Sequence, residues 1–339
     1  MMPNPRRPER LRPQLVPFRP MTRVSIYGAG QLGTGVAEIL RANPRYEVLG
    51  PFGRDRRDEA LTSGSDLVIV ATTTRLKDVL DDVRTAVLHG SNVLVSAEEA
   101  AFPFVVDGDG ARDVDALAKA KGVSVAGTGV NPGFMFDSLV LTLLGTQPRG
   151  CTIQVRRHVE IGGFGTAVLR RIGVGWSEQE FIKRVERGEI LGHAGFPQSM
   201  EIVAAATGVT IDRINRVLRP VLAKEPIEIP GRFTVQPGQS AGVDQTYTAI
   251  AGGSAWFLAY FYGHVSLKSV RKEPSDDIDL LRGRTTVQTL KLRPGIKSQS
   301  GSQNMVANSV ERVMAARPGW VTVADMAPAF PAPIGGRME

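Results

Sequence analysis

Three glycines and two adjacent glutamates are the residues of this sequence whose types and spacing carry chemistry. Val24-Ser-Ile-Tyr-Gly28-Ala-Gly30-Gln31-Leu32-Gly33 sets a GxGxxG spacing directly after a β-rich run and directly before an amphipathic helix. There Gly28 makes the tight turn, Gly30 lets the backbone approach a pyrophosphate, and Gly33 lets helix and strand pack closely. The pyrophosphate rests on the unpaired N–H groups of the first helical turn, at Gln31 and Leu32, and on the positive end of the helix. The spacing alone is a weak signal, because ordinary glycine-rich loops meet it. Strand, turn, helix and second strand together point to a dinucleotide.

The tip of the second strand bears on which dinucleotide. It reads Gly50-Pro-Phe-Gly53-Arg54-Asp55-Arg56-Arg57, with no acid at Leu49–Phe52 to hold a ribose 2′-OH. Arg54 and Arg56 suit a 2′-phosphate through the planar guanidinium fork. Asp55 is the group that would serve an NAD ribose, and a solvated loop with incidental charge is the plain alternative. The reading favours NADP and leaves NAD open.

In a doubly wound sheet the ligand lies outside the carboxyl ends of the strands. Those ends are Ala71-Thr72-Thr73-Thr74, Ser96-Ala-Glu98-Glu99, and Gly127-Thr-Gly-Val-Asn131-Pro132-Gly133. Thr72 and Thr73 either border the cofactor or cap a helix. Asn131 carries an amide that can meet the carboxamide. Glu98 and Glu99 are either an acid pair with shifted pKa values at the hydride-transfer position or the first turn of a helix, where acids suit the dipole.

The elements that position these residues alternate. Strands are predicted at Arg23–Tyr27, Tyr46–Leu49, Asp66–Val70, Asn92–Val95 and Val123–Ala126, and helices at Leu32 to Arg41, Leu76–His89 and Asp113–Lys121. Strands alternating with helices of about ten residues imply right-handed crossovers and a doubly wound parallel sheet, a Rossmann α/β fold. After Gly127 the rhythm changes. Helices at Asp137–Leu144, Ser177–Arg187 and Ser199–Thr207, and strands at Thr152–Val159, Ile227–Ile229, Thr234–Gln236 and Thr285–Lys291, predict a second α+β domain with an open mixed sheet. The helix Asn304–Ala316 is expected to pack back on the first domain. The expected division is a dinucleotide-binding domain at 21–130 completed by 303–339, and a substrate and dimerisation domain at 131–302.

Bulk properties exclude several classes. Across 339 residues the chain is 42% hydrophobic and 22% charged, and no apolar run approaches the roughly 20 residues a bilayer requires. Of the formal charge of +7, the segment 1–20 supplies +4, through Arg6, Arg7, Arg10, Arg12 and Arg19 against Glu9. Rich in proline and without periodicity, that segment reads as a disordered tail without the apolar region of a secretory signal. Met21 is the expected alternative start. The remaining charge forms no basic stripe with interleaved aromatics, so nucleic acid is not an expected partner. One cysteine, Cys151, and four scattered histidines provide no metal-ligand spacing. The expectation is a cytoplasmic protein with no metal and no membrane contact.

The chain resembles the 2,4-diaminopentanoate dehydrogenases and the related native amine dehydrogenases, which are akin in fold to dihydrodipicolinate reductase. The segments that carry the resemblance are Ser96-Ala-Glu-Glu-Ala-Ala-Phe-Pro103, Gly127-Thr-Gly-Val-Asn-Pro-Gly-Phe-Met-Phe-Asp137, Gly175-Trp-Ser-Glu-Gln-Glu-Phe181 and Gly192-His-Ala-Gly-Phe-Pro-Gln-Ser199. Asn308-Ser-Val-Glu-Arg-Val313 and Pro318-Gly-Trp-Val-Thr322 follow. The resemblance implies reversible oxidative deamination of an amine or diamine to a ketone or aldehyde and ammonia, with NAD(P) and a homodimer. It also implies an acid after the strand at Asn92–Val95, a role that falls on the Glu98-Glu99 pair. Glu99 is preferred, because it stands where distantly related homoserine dehydrogenases carry a lysine. The His-His pair and the Lys-x-Asp-Ala-Pro-Ser-Gly-Thr-Ala run of dihydrodipicolinate reductases are absent.

Such an acid answers a chemical need. An ammonium with a pKa of ~10 must lose a proton before hydride can leave its carbon. Candidates for the substrate pocket are Phe134, Trp176, His193 and His264, each also readable as structural: Trp176 as a packing anchor, His193 as a lining residue, His264 as a satisfied helix-end histidine. The aromatic run Trp256, Phe257, Tyr260, Phe261 and Tyr262 belongs either to the pocket, to the core or to a dimer interface. Two other readings stand beside deamination: an imine or other reductase of the dihydrodipicolinate reductase-like superfamily, and a non-catalytic NADP(H) sensor.

Overall fold

The computed structural model describes residues 21–333; the segment 1–20, read above as a disordered tail, lies outside them. The first part of the chain alternates β1 (Thr22–Tyr27), α1 (Gln31–Arg41), β2 (Tyr46–Phe52), α2 (Arg57–Leu61), β3 (Leu67–Val70), α3 (Leu80–Leu88), β4 (Asn92–Val95), α4 (Gly108–Lys121) and β5 (Ser124–Gly127). The second part runs α5 (Ser138–Leu144), β6 (Thr152–Glu160), α6 (Thr166–Ile172), α7 (Glu178–Glu186), α8 (Phe196–Thr207), β7 (Arg213–Leu222), β8 (Ile227–Ile229), β9 (Phe233–Val235), β10 (Ser240–Ala251), β11 (Ser254–His264), β12 (Ser275–Arg282) and β13 (Thr285–Leu292). It closes with α9 (Ser298–Met314) and β14 (Gly319–Val321).

The first sheet has the order β14-β5-β4-β3-β1-β2, and every pair in it is parallel. All four residues of β3 are buried, as a strand covered on both faces requires. From β1 the chain moves outward to β2 and then returns to lay β3 on the other side. The crevice between the ends of β1 and β3 is therefore the topological switch point, where ligands of such sheets bind. Helix α9 returns to this sheet: Val306, Ala307, Val310 and Val313 share a core with Val24, Ile26, Val36 and Leu40.

Helix α4 begins at Gly108, ahead of the expected Asp113. Its first turn is Gly108-Asp-Gly110, poor helix formers, and is held by Asp107, whose side chain accepts from Gly110 N–H at 2.9 Å. The expected helix Leu76–His89 is broken into a short 3-10 turn at Leu76–Asp78 and α3.

The second sheet has the order β13-β12-β6-β11-β10-β7, with β6 and β11 parallel and the other pairs antiparallel. Its inner face is covered by helices, including α8, over the largest core of the molecule. In register across four of its strands, Gln245 of β10 stands beside Phe261 of β11, Phe261 beside Arg157 of β6, and Arg157 beside Asp276 of β12. This row is the floor on which the site is built.

Candidate active site

At the switch point the three glycines do three different things. Gly28 has φ +126°, and a Cβ there would stand 2.3 Å from the carbonyl oxygen of Ala71 at the end of β3. A Cβ on Gly33 would stand 1.9 Å from the Gly28 carbonyl oxygen, so the helix can lie this close to the turn only without a side chain. A Cβ on Gly30 would meet nothing within 4 Å. Gly30 is the N-cap of α1, no side chain caps that end, and no acid occupies its first turn. The first N–H groups of an eleven-residue helix therefore open onto free space. The buried hydroxyl of Thr72 on the facing strand end has no protein partner. Open backbone donors, room beside Gly30 and an orphaned hydroxyl across from it fit the pyrophosphate of a dinucleotide.

Past β2, Arg54 and Arg56 lie in the exposed turn expected to face the ribose. Arg56 is engaged elsewhere: its Nε donates to Glu59 Oε2 at 2.7 Å, and its guanidinium lies 4.6 Å from the centre of the Phe52 ring. Arg54 has no ion-pair partner among the described residues. Asp55 turns back over Gly53, its Oδ1 at 2.5 Å from where a Cβ of that glycine would stand.

From this turn a cavity of about 500 Å³ extends to the inner face of the second sheet. Its cofactor side is formed by Gly30, Gln31, Leu32, Thr72, Thr73 and Asn131, and its far side by Phe164, Val168, Ile172, Leu191 and Phe261. The far side is apolar apart from two cations, Arg157 and Arg171. Glu98 lines this cavity and a smaller one of about 160 Å³ beside it, in which Pro132 also stands.

Glu98 and Glu99 open a short 3-10 turn that follows β4, and adjacent residues of such a turn diverge. Glu99 points away from the cavity, and its Oε2 accepts the backbone N–H of Leu76 at 2.7 Å. Burial pushes the Glu98 carboxyl up to about 7; the positive charge of Arg171 at the cavity edge moderates the shift, and Glu99 adds to it. The loop before α8 presses on Glu98 from the other side. A Cβ on Gly195, which has φ +85°, would stand 2.5 Å from Pro132 Cδ and 3.1 Å from Glu98 Cβ.

His193 lines the cavity and is neutral, because burial lowers its pKa to about 4. Its Nδ1 donates to the Ala194 carbonyl, leaving Nε2 to accept from the Asn131 amide at 3.4 Å. Gln245 holds the same loop, its Oε1 accepting the His193 N–H at 2.8 Å and its Nε2 donating to the His193 carbonyl at 3.1 Å. Behind Asn131, the fully buried Asp137 accepts from Gly133 N–H at 2.8 Å and from Ser199 Oγ at 2.7 Å. These bonds tie the Gly127–Asp137 and Gly192–Ser199 segments together.

The remaining candidates from the sequence lie elsewhere. Phe134 borders a separate cavity of about 220 Å³ with Met305 and Arg312. Trp176 packs under the Arg184 guanidinium at 3.7 Å and donates to the Arg170 carbonyl at 3.4 Å. His264 ends a strand rather than a helix; it is buried, stacked on Tyr262, with Nδ1 against the Ser266 backbone. Of the aromatic run, Phe261 alone reaches the cavity, because β11 alternation sends it and Phe257 inward and Tyr260 outward. Sequence reasoning missed Arg157, Arg171 and Gln245. Arg157 carried a signal: Ile153, Val155 and Val159 alternate around it, which puts its charge on the apolar face of a strand.

Fold and site together define an NAD(P)-dependent oxidoreductase of Rossmann type, with its second sheet closing the cavity in front of the dinucleotide turn. The chain belongs to the 2,4-diaminopentanoate dehydrogenase family, residues 134–338 matching the 2,4-diaminopentanoate dehydrogenase C-terminal domain. It is 28% identical over 330 residues to the 2,4-diaminopentanoate dehydrogenase of Acetoanaerobium sticklandii, a match that covers 90% of this chain and 93% of that protein. Among solved structures, the amine dehydrogenase from Mycobacterium smegmatis superposes with a TM-score of 0.79 at 21% identity, covering 92% of this chain and 97% of that one. GenD2 from gentamicin A biosynthesis, solved in complex with NAD, superposes with a TM-score of 0.54 at 17% identity and covers 93% of each chain. These two likenesses carry the fold.

Proposed function

We propose that this protein is an amine dehydrogenase: it converts an amine and NAD(P)⁺ reversibly into a ketone or aldehyde, ammonia and NAD(P)H, with Glu98 as the acid–base group. The observation that carries the reading is a single carboxyl, held near neutrality, standing between the dinucleotide turn and an apolar chamber. A carboxylate there attracts the substrate ammonium, takes one of its protons and so frees the nitrogen lone pair. The nicotinamide, when bound, supplies the hydride acceptor and, in reverse, the donor. After hydride has left the carbon, water adds to the resulting iminium and ammonia departs; Glu98 in its two protonation states serves both proton transfers. The apolar walls from α6 and Phe261 exclude bulk water and strengthen the ion pair between Glu98 and the substrate nitrogen.

Gly28, Gly30, Gln31, Leu32, Gly33, Thr72, Thr73, Asn131 and Pro132 form the cofactor side in this reading, and His193 belongs to the chamber. Arg54, the unengaged cation of its turn, favours NADP over NAD. The substrate body is largely apolar, as the far wall is apart from Arg157 and Arg171. Residues 21–130, completed by the segment from 303 onward, are taken as the cofactor domain and 131–302 as the substrate domain. Leu258, Tyr260 and Val217 stand on the sheet face turned away from the helices, with Val217 and Tyr260 in line across β10, and support a homodimer through that face. A cytoplasmic setting suits the lone, free Cys151, and no helix among the described residues is long and apolar enough to cross a membrane.

The test is a screen of ketones and aldehydes with NADPH and NADH in excess ammonium. The reading expects cofactor oxidation only when carbonyl and ammonia are both present. Oxidation with carbonyl alone would point to an alcohol-type dehydrogenase, turnover of preformed cyclic imines without ammonia to an imine reductase, and tight cofactor binding with no turnover at all to a sensor.

A further inference from the structure

The inner face of the second sheet is apolar around the cavity, with Ile153, Val155, Val159, Phe257 and Ile278 fully or almost fully buried, yet it also holds a complete ion pair. Arg157 Nε lies 3.2 Å from Asp276 Oδ1, and both residues are 1% exposed. Apolar residues of the same volume would fill such a place at least as stably. What the pair does beyond filling space is grip one residue of another element. Ile296 N–H donates to Asp276 Oδ2 at 2.7 Å, and the Ile296 carbonyl accepts from Arg157 Nη2 at 2.6 Å. The same Nη2 reaches Ser298 Oγ at 3.3 Å.

Ile296 is the point at which the chain leaves the second sheet and enters α9. The first turns of α9 form a wall of the cavity through Ser298, Gln299 and Ser302. Ser302 Oγ accepts the Val130 N–H at 3.4 Å, and Gln303 Nε2 donates to the carbonyl of Gln31 at 2.9 Å. Gln31 is the first residue of α1, where the pyrophosphate reading places the anion. Arg157 itself lines the chamber on the substrate side. A continuous set of hydrogen bonds thus joins the chamber floor to the cofactor turn.

We propose that Arg157 and Asp276 are positioning residues that set the cofactor turn from the substrate sheet through Ile296 and α9, so that cofactor affinity depends on a pair outside the turn. The inference rests on the dinucleotide reading of that turn and extends it. Each link has two partners in fixed geometry, and loosening the first frees α9 to shift against α1.

The experiment measures NADPH binding directly, by nucleotide fluorescence, in the full chain. The double variant Arg157→Met with Asp276→Leu removes both charges together and leaves no buried ion unpaired, so it is expected to fold, with a melting temperature lowered by the freed Ile296 N–H and carbonyl. The proposal expects this folded variant to bind NADPH about tenfold more weakly. Arg157→Lys keeps the charge opposite Asp276 but lacks the planar fork that serves Asp276 and Ile296 at once, and is expected to weaken binding in the same direction. A folded double variant that binds as tightly as the unaltered chain overturns the proposal. Where the double variant does not fold, unchanged affinity in Arg157→Lys overturns it. Failure of the unaltered chain to bind either NADPH or NADH would instead remove the dinucleotide reading beneath it.

Discussion

The carboxylate of Glu99 accepts the backbone N–H of Leu76 at 2.7 Å, and this bond separates the two members of the acid pair. Leu76 is fully buried and begins the turn that follows β3, so its N–H needs an acceptor from the protein. Glu99 supplies it and turns its charge away from the cavity. Glu98, with no such tie, is left at the cavity wall.

The two positions should therefore fail in different ways. Glu98→Gln is expected to lower the deamination rate by about 10²–10⁴-fold, the usual worth of a positioned acid–base group, while NADPH still binds. Glu99→Gln keeps an oxygen for Leu76 N–H and should leave the rate within a few-fold. Glu99→Ala orphans that donor and should cost about 1–3 kcal/mol in denaturant unfolding. Loss of turnover in Glu99→Gln, with Glu98→Gln active, would reverse the assignment.

The pH dependence follows from the Glu98 carboxyl at about 7. Deamination needs its anion, so the rate should climb as pH rises through about 7, and that limb should vanish in Glu98→Gln. His193, held near 4, contributes no limb between pH 5 and 8.

Stability should move the opposite way. The folded-state pKa lies above the unfolded value, so the folded chain holds this proton more tightly. The native state is unburdened below about 4.5 and carries a buried charge above about 7, and stability falls between the two. Glu98→Gln should therefore be more stable than the unaltered protein at pH 8, by on the order of 3 kcal/mol, and nearly equal to it at pH 4. Equal melting curves at pH 8 would mean that Glu98 is not buried as the cavity places it.

Local rules made the first half of the chain legible. Asn92–Val95 is the strand expected from its apolar run, and Ser177 and Asp137 cap the helices they precede, as their side chains allow. The glycine turn was readable because each of its constraints is local. In the second sheet β6 and β13 are the strands expected at Thr152–Val159 and Thr285–Lys291, while β7, β10, β11 and β12 were not legible. β7 carries arginine at three of its ten positions, Arg213, Arg216 and Arg219, with Asn215 between the first two; as an edge strand it buries no apolar stripe along its length. The β10–β11 hairpin did offer a signal in Gly252-Gly253, both at positive φ, which is the two-residue turn such a hairpin uses. The row from Gln245 to Asp276 is set by strand register over long sequence separations, which no local pattern encodes.

Arg54 offers a test of cofactor choice. Because Arg56 is already bound to Glu59, Arg54 is the cation free to meet a 2′-phosphate. Arg54→Ala should weaken NADPH binding by about tenfold and leave NADH binding nearly unchanged, the loss of one charge-assisted contact. Arg56→Ala should shift the ratio less. Equal loss for both cofactors in Arg54→Ala would remove this residue from ribose recognition.

The glycine turn gives the sharpest contrast between folding and binding, because two positions of one motif have opposite surroundings. A Cβ on Gly33 would stand 1.9 Å from the Gly28 carbonyl oxygen, closer than any relaxation of a side chain can relieve, since both atoms belong to backbone. Gly33→Ala must push α1 off the turn and should destabilise the protein by about 1–3 kcal/mol or more, in line with overpacking of a closed site. A Cβ on Gly30 meets no protein atom within 4 Å, and the residue has an ordinary negative φ of −81°. Gly30→Ala should therefore fold and melt like the unaltered chain. The new methyl nevertheless occupies the space through which the backbone approaches the pyrophosphate, so NADPH affinity should fall by about tenfold or more. The measurement is a pair of melting curves beside a pair of binding isotherms. A Gly30→Ala protein that binds NADPH normally would place the pyrophosphate away from this turn, and the hydride-transfer position beside Glu98 would lose its anchor with it.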